Sequence, residues 1–419
     1  MKKSTMGALT AWLLALAIWT AGAAEAAPKT IRIAAMGDIM LGPEASADVF
    51  AAVKPYLADR QVVIGNLEGP LTDRGAPTKE VEPGVSYVFR TPPALADRFS
   101  EAGFTVMNLA NNHVNDYGPA GAQQTREVLE KAGILYTGAP GEVARQKVGK
   151  TTVAVIGLAP NSGCQDLNDI PAAAELVRQE AAKPNTVVIV TFHGGGEGPG
   201  YIYVPSGPES YLGESRGDLR RLGRAMIDAG AHLVIGHGPH VPRGLEIYQD
   251  RLIAYSLGNF TTGSGLSVSG RNGLAPLLLV DLTVKGKLAG GQIVSFKQEG
   301  AGQTGLDQSG EAGQLMHTLS LLDFDSPALD PEGKILTTDS AARTMAAALP
   351  KPDRPKAVMM ARAAKPEPAA ASADTEARAD ETGQKARNKR KALARSEDAS
   401  SRYEWARAPV SAGDRRAGR

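Results

Sequence analysis

The sequence contains one cysteine among 419 residues and carries almost no net charge, and each of these shortages excludes a class of protein. Cys164 cannot form an internal disulfide, so neither a disulfide framework nor a thiolate metal cluster is available, and we expect this residue to be buried and inert. The formal net charge of +1 gives no support for nucleic acid as a partner.

Long apolar runs are equally scarce, and the strongest one lies near the N-terminus. The basic start "MKKS" precedes the run "ALTAWLLALAIWTA", and a small-residue segment follows with an A-x-A site at Ala24-Glu25-Ala26. This order predicts a signal peptide at residues 1–26 and a periplasmic or secreted protein. The run is short for a membrane span, which needs about 20 residues. The alternative is an uncleaved anchor, which would leave the protein membrane-associated.

The other end of the chain is rich in Ala, Pro and charge and poor in aromatic residues. From residue 351 onward, 17 Lys and Arg residues stand against 10 Asp and Glu residues. We predict a disordered tail at residues 346–419, because such a segment cannot bury enough apolar surface to fold alone. Its basic charge could contact an anionic lipid or polymer, although a solvated tail is the simpler interpretation.

Between these ends, short Val/Ile/Leu runs alternate with helical patterns, which predicts an α/β fold. We expect a folded domain at residues 28–300 and a partly helical C-terminal extension at residues 301–345. Helices are predicted at residues 47–59, at residues 92–103 with their end at Gly103, and at residues 119–133. Residues 271–287 and 288–300 predict an antiparallel hairpin that closes one edge of a sheet.

Polar residues follow nearly every predicted strand at its carboxyl end. In open α/β sheets this edge is where ligands bind. Two histidines fall outside this set, because His232 precedes its strand and His317 lies in a polar helical stretch where we expect solvation. The residues at the strand ends are Asp38, Asn66, Glu68, Asn111, Asn112, His113, Asp116, His193, Glu197, His237, His240 and Asn259.

Carboxylate, imidazole and amide groups together suit one or two divalent metal ions, such as Mn, Fe, Zn or Mg. His113 is predicted to be catalytic, donating a proton or binding an oxyanion, with Asp116 holding its other ring nitrogen. Any single histidine here could instead be a hydrogen-bonded structural residue. The predicted metal ligands are Asp38, Glu68, Asn112, His193, His237 and His240. The predicted substrate-binding residues are Asn66, Asn111, Glu197 and Asn259.

Five motifs in this order resemble the CapA family of poly-γ-glutamate capsule synthesis proteins: "GDIMLG", "NLEGPLT", "ANNHVNDYG", "DAGAHLVIGHGPHV" and "YSLGNF". That family is similar to calcineurin-like metallophosphatases. The resemblance implies a four-layer α-β-β-α sandwich with mixed sheets and a metal site at the strand ends. It places Asp38 and His240 on one metal and Asn112, His193 and His237 on the other, with a bridging acid between them. It makes His113 the catalytic histidine.

The sequence departs from the metallophosphatase and CapA patterns at four places. Met40 stands where a histidine ligand is usual, and Glu68, or failing that Asn66, is the candidate for the bridging residue. Gly238 stands where a further histidine is often found. In "HGGGEG" only glycines surround Glu197, which predicts a loose pocket.

Three functions are compatible with these residues. The first is an exported metal-dependent hydrolase or transferase acting on an anionic polymer, either poly-γ-glutamate-like or a polysaccharide, in capsule synthesis or export. The second is a non-catalytic factor that binds the polymer or assembles with a membrane synthase. The third is a periplasmic metallophosphoesterase, which rests on fold analogy alone.

Overall fold

A computed structural model describes residues 30–45, 48–81, 87–263, 266–324 and 327–337 of the chain. The predicted signal peptide and the predicted disordered tail lie outside the described residues. Within the described ranges no helix is both long enough and apolar enough to span a bilayer.

Sixteen strands and six α-helices make up the described part of the chain. The strands are β1 (Thr30–Met40), β2 (Val62–Leu67), β3 (Val106–Asn108), β4 (Leu135–Thr137), β5 (Val143–Val148), β6 (Thr151–Leu158), β7 (Thr186–His193), β8 (Glu209–Tyr211), β9 (Glu214–Gly217), β10 (Leu233–His237), β11 (Leu245–Tyr248), β12 (Arg251–Ala254), β13 (Asn259–Thr262), β14 (Leu274–Thr283), β15 (Leu288–Gly300) and β16 (Gln303–Leu306). The helices are α1 (Lys54–Leu57), α2 (Ala96–Ala102), α3 (Gly118–Lys131), α4 (Ile170–Ala181), α5 (Leu219–Asp228) and α6 (Glu311–Asp323).

Two mixed sheets and one hairpin contain all of these strands. The first sheet has eight strands in the order β16-β15-β14-β1-β2-β3-β4, with β13 parallel to the end of β1. The second sheet has six strands in the order β11-β12-β10-β7-β6-β5. Its four central strands run parallel, and both edge strands are antiparallel to their neighbours. Strands β8 and β9 form a separate hairpin.

Three apolar cores separate the layers. The inner faces of both sheets meet in one core, where Ile33 and Ile64 of the first sheet join Val155 and Ile189 of the second. A second core lies between the first sheet and its helices, and a third lies between the second sheet and helices α4 and α5. This arrangement confirms the predicted α/β sandwich of four layers, α-β-β-α.

Two local predictions need correction. The helix predicted at residues 47–59 is reduced to α1, and the residues before it form i→i+3 turns, such as Ala51 N–H to Asp48 O at 2.8 Å. Lys54 N–H makes one α-helical bond to the Phe50 carbonyl at 3.0 Å, but Pro55 has no N–H to make the next bond to the Ala51 carbonyl. The hairpin of β14 and β15 forms as predicted, but β16 pairs with β15 and takes the sheet edge instead.

The segment after residue 300 contributes a helix, α6, to the body of the molecule. Met316 of α6 is buried in the core between the sheets. His317 was predicted to be solvated, and this is wrong. It is half-buried, and its Nδ1 donates to the Leu329 carbonyl at 2.7 Å, because α6 packs against the residues that follow it. The division of the chain into domains stays a prediction.

Candidate metal centre

The carboxyl ends of strands from both sheets meet at one edge of the sandwich. Asp38 at the end of β1 lies opposite Asn66 of β2 and Asn259 of β13. On the second sheet, His193 at the end of β7 lies opposite His237 at the end of β10. The strands are apolar because both of their faces are covered, so each tip is the first place where a polar side chain is tolerated.

Three residues at these tips are buried and carry polar atoms that lack any partner. Glu68, His193 and His237 are 0% exposed. Within the described part of the chain no hydrogen bond reaches Glu68 Oε1 or Oε2, His193 Nε2, or His237 Nδ1 or Nε2. Buried polar groups are nearly always hydrogen-bonded in native proteins, so five such atoms in one cluster indicate a place for a bound ion or for water.

The atoms lie at separations suited to a shared ion. Glu68 Oε1 is 3.7 Å from the Nε2 atoms of His193 and of His240, and 3.8 Å from that of His113. Asp38 Oδ1 is 3.5 Å from His237 Nδ1. These distances are too long for hydrogen bonds. Two ligands of one tetrahedral ion lie roughly 3.4 Å apart.

The charges at the site also favour a cation. Burial alone would raise the pKa of Asp38, but its hydrogen bond to His240 and the nearby imidazoles hold that pKa well below its usual range. Burial raises the pKa of Glu68 well above its ordinary value, and the charge of Asp38 adds to the rise. A cation beside both carboxylates would favour their ionised forms.

The imidazoles of His193, His237 and His240 differ in the direction in which their pKa is shifted. Burial lowers the pKa of His193 well below its ordinary value and that of His237 to about 4, so both are neutral at pH 7 and suited to coordination. Burial acts the same way on His240, but the carboxylates of Glu68 and Asp38 outweigh it and raise its pKa to about 10. His240 must therefore lose a proton before it can bind a metal.

The residues present therefore fit a divalent cation. One ligand atom each from Asp38, Glu68 and His193 lies within 4.8 Å of the other two. The donors are oxygen and nitrogen atoms, which suits Mg, Mn, Fe or Zn, and the set does not choose among them.

His113 and Asp116 form a pair beside this cluster. His113 Nδ1 lies 2.6 Å from Asp116 Oδ2, and a carboxylate accepts, so this nitrogen carries the proton. The other ring nitrogen faces Glu68. The Phe89 ring packs on the imidazole at a centroid distance of 4.2 Å. The pair is thus held in one tautomer with Nε2 directed at the site.

The sequence model of one protein family, that of the bacterial capsule synthesis protein PGA_cap, matches residues 32–264, more than half of the chain. The chain belongs to this family.

Two CapA proteins of Bacillus are among the relatives to which this chain is similar. The "Capsule biosynthesis protein CapA" of Bacillus anthracis is 29% identical over 61% of this chain and 67% of its own length. The "PGA biosynthesis protein CapA" of Bacillus subtilis (strain 168) is 32% identical over 55% of this chain and 63% of its own length. The chain thus spans about two thirds of the length of these relatives.

Similarity to solved structures is weaker. A phosphatase from Mycoplasma pneumoniae superimposes with a TM-score of 0.43 at 13% identity, covering 64% of this chain and 94% of that one. A hypothetical protein from Thermus thermophilus gives 0.42 at 16% identity, covering 64% and 99%. The four-layer architecture therefore rests on the sheets and helices of this chain and not on these likenesses.

Three asparagines predicted to bind substrate form hydrogen bonds with other residues of the protein. Asn66 donates to Asp38 Oδ1 at 2.7 Å and lies 3.1 Å from His193 Nδ1. Asn259 Oδ1 lies 2.9 Å from His240 Nδ1. The amide of Asn111 donates to the Leu67 carbonyl at 2.8 Å and accepts from His113 N–H at 3.1 Å. Their visible contacts orient the candidate ligands and the loop that carries His113.

Two other predicted residues lie nearer the mouth of the site. Asn112 is half-buried, and its Oδ1 is enclosed with no partner among the described residues. The Glu197 side chain is 19% exposed, lies 3.8 Å from His240 Nε2, and pairs with Arg216 at 2.9 Å. Both remain predicted site residues with atoms able to face a ligand.

The loop rich in glycine is tightly packed, which makes the prediction of a loose pocket wrong. A Cβ at position 196 would lie 2.1 Å from the Tyr201 ring, and one at Gly238 would lie 2.6 Å from the Gly194 carbonyl oxygen. Gly196 N–H also donates to Glu209 at 3.0 Å. Because these glycines have no side chain, the two loops approach each other closely and the site is compact.

His240 carries a backbone conformation consistent with a functional site. Its φ is +57°, in the left-handed region that residues other than glycine rarely adopt. Such conformations persist when surrounding contacts impose them, and they cluster at active sites. Here Asn259 and Asp38 hold the ring on its Nδ1 side.

Several residues that shape the site were missed from the sequence. Asn108 donates to Asn66 Oδ1 at 2.8 Å, and its position at the end of an apolar run could have revealed it. Lys79 and Arg216 lie in short segments without periodicity, where no sequence signal marks them.

His232 lies at the opposite end of β10 from His237, as predicted, and accepts a hydrogen bond from Val188 N–H at 3.0 Å. Cys164 is buried, and burial raises the pKa of its thiol to about 11.

Proposed function

We propose that this protein is an exported, metal-dependent hydrolase or transferase that acts on an anionic cell-surface polymer during capsule synthesis or export. The observation that carries the proposal is the cluster of buried, unpartnered atoms on Glu68, His193 and His237. Membership in a capsule synthesis family supports the setting. Two relatives favour a poly-γ-glutamate-like polymer over a polysaccharide: the PGA biosynthesis protein CapA of Bacillus subtilis and a probable polyglutamine synthesis accessory protein of Mycobacterium tuberculosis.

In this proposal the strand-tip residues hold one or two divalent cations, with Glu68 as the central carboxylate. Such an ion, when bound, polarises the scissile amide or phosphoryl group and lowers the pKa of water. The protein supplies the orientation: Asn66 holds Asp38, and Asn259 holds His240. The ligands are His193, His237, His240, Asp38, Glu68 and Asn112.

His113 would exchange a proton with the leaving group. Its Nδ1 is bonded to Asp116, so its Nε2 faces the site and is the atom that would carry the transferred proton. Burial lowers the pKa of His113, and Asp116 opposes this effect. Negative charge developing on a leaving group raises the affinity of that group for the Nε2 proton, so proton transfer from the imidazolium to the leaving group would be coupled to bond cleavage.

The test combines metal content with turnover. Purified protein would be analysed for bound metal and assayed on bis(4-nitrophenyl) phosphate and on a γ-glutamyl polymer. We expect His113→Ala to lose turnover while keeping metal, and His240→Ala to lose both, with His232→Ala as a control that keeps both. Wild-type rates in both site variants would refute the mechanism.

One observation supports a second candidate function, a non-catalytic factor that binds the polymer or a membrane synthase. Met40, which replaces a usual ligand, is only 3% exposed and offers no oxygen or nitrogen donor to the site. A metal-free protein that co-purifies with a membrane synthase would favour this alternative.

A further inference from the structure

A strap crosses the loop that carries His113. It consists of residues 71–81 and 87–91, and its two ends are tied together. Thr72 N–H donates to the Thr91 carbonyl at 3.0 Å, and Thr91 N–H donates to the Pro70 carbonyl at 2.9 Å. The strap is therefore anchored as a closed loop beside the metal centre.

The strap meets the site at Asp116. Thr78 N–H donates to the Asp116 carbonyl at 2.9 Å, and Phe89 N–H donates to Asp116 Oδ2 at 2.8 Å. Lys79 Nζ forms an ion pair with Asp116 Oδ1 at 2.7 Å. Both carboxylate oxygens thus contact the strap, while Oδ2 also contacts His113.

Lys79 makes a second contact, to the backbone of a predicted metal ligand. Its Nζ donates to the Asn112 carbonyl at 3.2 Å. One ammonium group therefore joins the partner of His113 to the residue before His113. Both connections act on atoms that surround the site.

We propose that Lys79 is a positioning residue that holds Asp116 and the Asn112 backbone in the geometry required by the metal centre and by His113. The part concerning His113 rests on the proposed function, and the part concerning Asn112 rests only on metal binding. Lys79 contacts no reacting atom in this arrangement, so it acts through the two residues that it holds.

Burial separates this ion pair from an ordinary surface salt bridge. Exposed pairs contribute little, but Asp116 is 0% exposed while the Lys79 side chain is 37% exposed. Removing the lysine leaves a buried carboxylate oxygen that faces no cation, which is strongly destabilising. Asp116 would then hold His113 less firmly, and the Asn112 carbonyl would lose its hydrogen bond from Lys79.

The experiment compares Lys79→Met and Lys79→Arg in the full chain. The control is the double variant Lys183→Met/Arg145→Met, because Lys183 at 2.6 Å and Arg145 at 2.5 Å both pair with a buried carboxylate, Glu180, at the end of α4 and away from the site; Lys183→Met alone leaves the Arg145 pair in place. Mn²⁺ affinity would be measured by calorimetry, and turnover of bis(4-nitrophenyl) phosphate would be resolved into kcat and KM, alongside the melting temperature.

We expect Lys79→Met to weaken Mn²⁺ binding by about 10- to 100-fold, as loss of an outer partner of a metal ligand does. We expect its kcat to fall by a similar factor with KM changed less than about twofold. Lys79→Arg should recover most of both losses, and Lys183→Met/Arg145→Met should keep wild-type Mn²⁺ affinity and kcat. Wild-type Mn²⁺ affinity and kcat in Lys79→Met would overturn the inference, as would an equal loss in Lys183→Met/Arg145→Met.

The two proposals fail separately in this design. A wild-type protein that binds Mn²⁺ but turns over neither model substrate would refute the proposed reaction, and the Mn²⁺ affinities would still decide the role of Lys79. If the wild-type protein is active and Lys79→Met keeps both its turnover and its Mn²⁺ affinity, only the role of Lys79 is refuted.

Discussion

Two buried clusters of charged residues differ in how many of their polar atoms have hydrogen-bond partners. In the first, Arg243 is 0% exposed and donates two hydrogen bonds of 2.9 and 2.7 Å to Glu209, while its Nε donates to the Tyr201 carbonyl at 2.7 Å. In the second, Glu68 is equally buried, and neither of its oxygens has a partner in the described structure.

The Arg243–Glu209 cluster stabilises the fold, whereas the cluster around Glu68 is suited to binding a ligand. A bidentate Arg–carboxylate pair compensates its own desolvation and holds the loop through Gly196. The Glu68 cluster has no such compensation, so its desolvation lowers stability unless a cation restores the balance. Protein stability should therefore respond to mutations on one side and to metal on the other.

Breaking the satisfied cluster should have the largest effect. Arg243→Met leaves Glu209 buried without its cation, and we expect the free energy of unfolding to fall by about 3–5 kcal/mol. Urea denaturation measures the change. The double variant Arg243→Met/Glu209→Leu should recover most of the loss, and a single variant as stable as wild type would contradict the comparison.

Adding metal should stabilise the unsatisfied cluster. At a free Mn²⁺ concentration 100 times Kd, binding raises the free energy of unfolding by about 2.7 kcal/mol. Thermal or urea denaturation with Mn²⁺ and with a chelator would measure it. Glu68→Gln should abolish the response while leaving the metal-free protein about as stable as wild type. Equal stabilisation of the variant would argue against Glu68 as a ligand.

Metal affinity should rise with pH. Ionised Glu68 and Asp38 raise the pKa of His240 to about 10, so His240 must release its proton when a metal binds. Below that pKa, release of one proton tightens binding by about tenfold, or 1.4 kcal/mol, per pH unit. Calorimetry in buffers of different ionisation enthalpy counts the protons. An affinity independent of pH between 6 and 8 would contradict this assignment.

The smallest effect should come from a histidine that is buried but satisfied. Burial lowers the pKa of His232 to about 4. Between about pH 6.5 and pH 4 the unfolded chain binds a proton at this histidine and the folded chain does not, so the free energy of unfolding falls as the pH falls. We expect this decrease to be smaller in His232→Gln by about 1–2 kcal/mol, as measured by urea denaturation across that range. It should leave Mn²⁺ affinity unchanged, in contrast to His237→Gln.

Much of the architecture could be predicted from local patterns. The helix ending at Gly103 forms as expected, because Gly103 adopts a φ of +100° that ends α2. The helix before Pro55 could not be judged from apolar spacing, since one missing N–H decided its length. The grouping of the strand-end residues could be predicted because parallel strands end at a common edge, and their roles in a site stay a prediction.

Their individual roles were harder to predict. Asn66, Asn111 and Asn259 have the same chemistry as a metal or substrate ligand, and sequence gives no way to tell which neighbours their amides meet. The looseness predicted for the glycine loop was wrong for a similar reason, because Tyr201 and Gly194 fill the space that side chains would have taken.

The sequence by itself determined the alternation of strands and helices, and the types of donor that follow each strand. These are properties of nearby residues, set by apolar periodicity and by the tolerance of strand ends for polar groups. Only the tertiary structure decided which donors remain unpartnered at the metal centre, and that Lys79 reaches Asp116 while Arg243 reaches Glu209. Those pairings join residues far apart in the chain, and burial makes each polar group depend on whichever partner the fold brings to it.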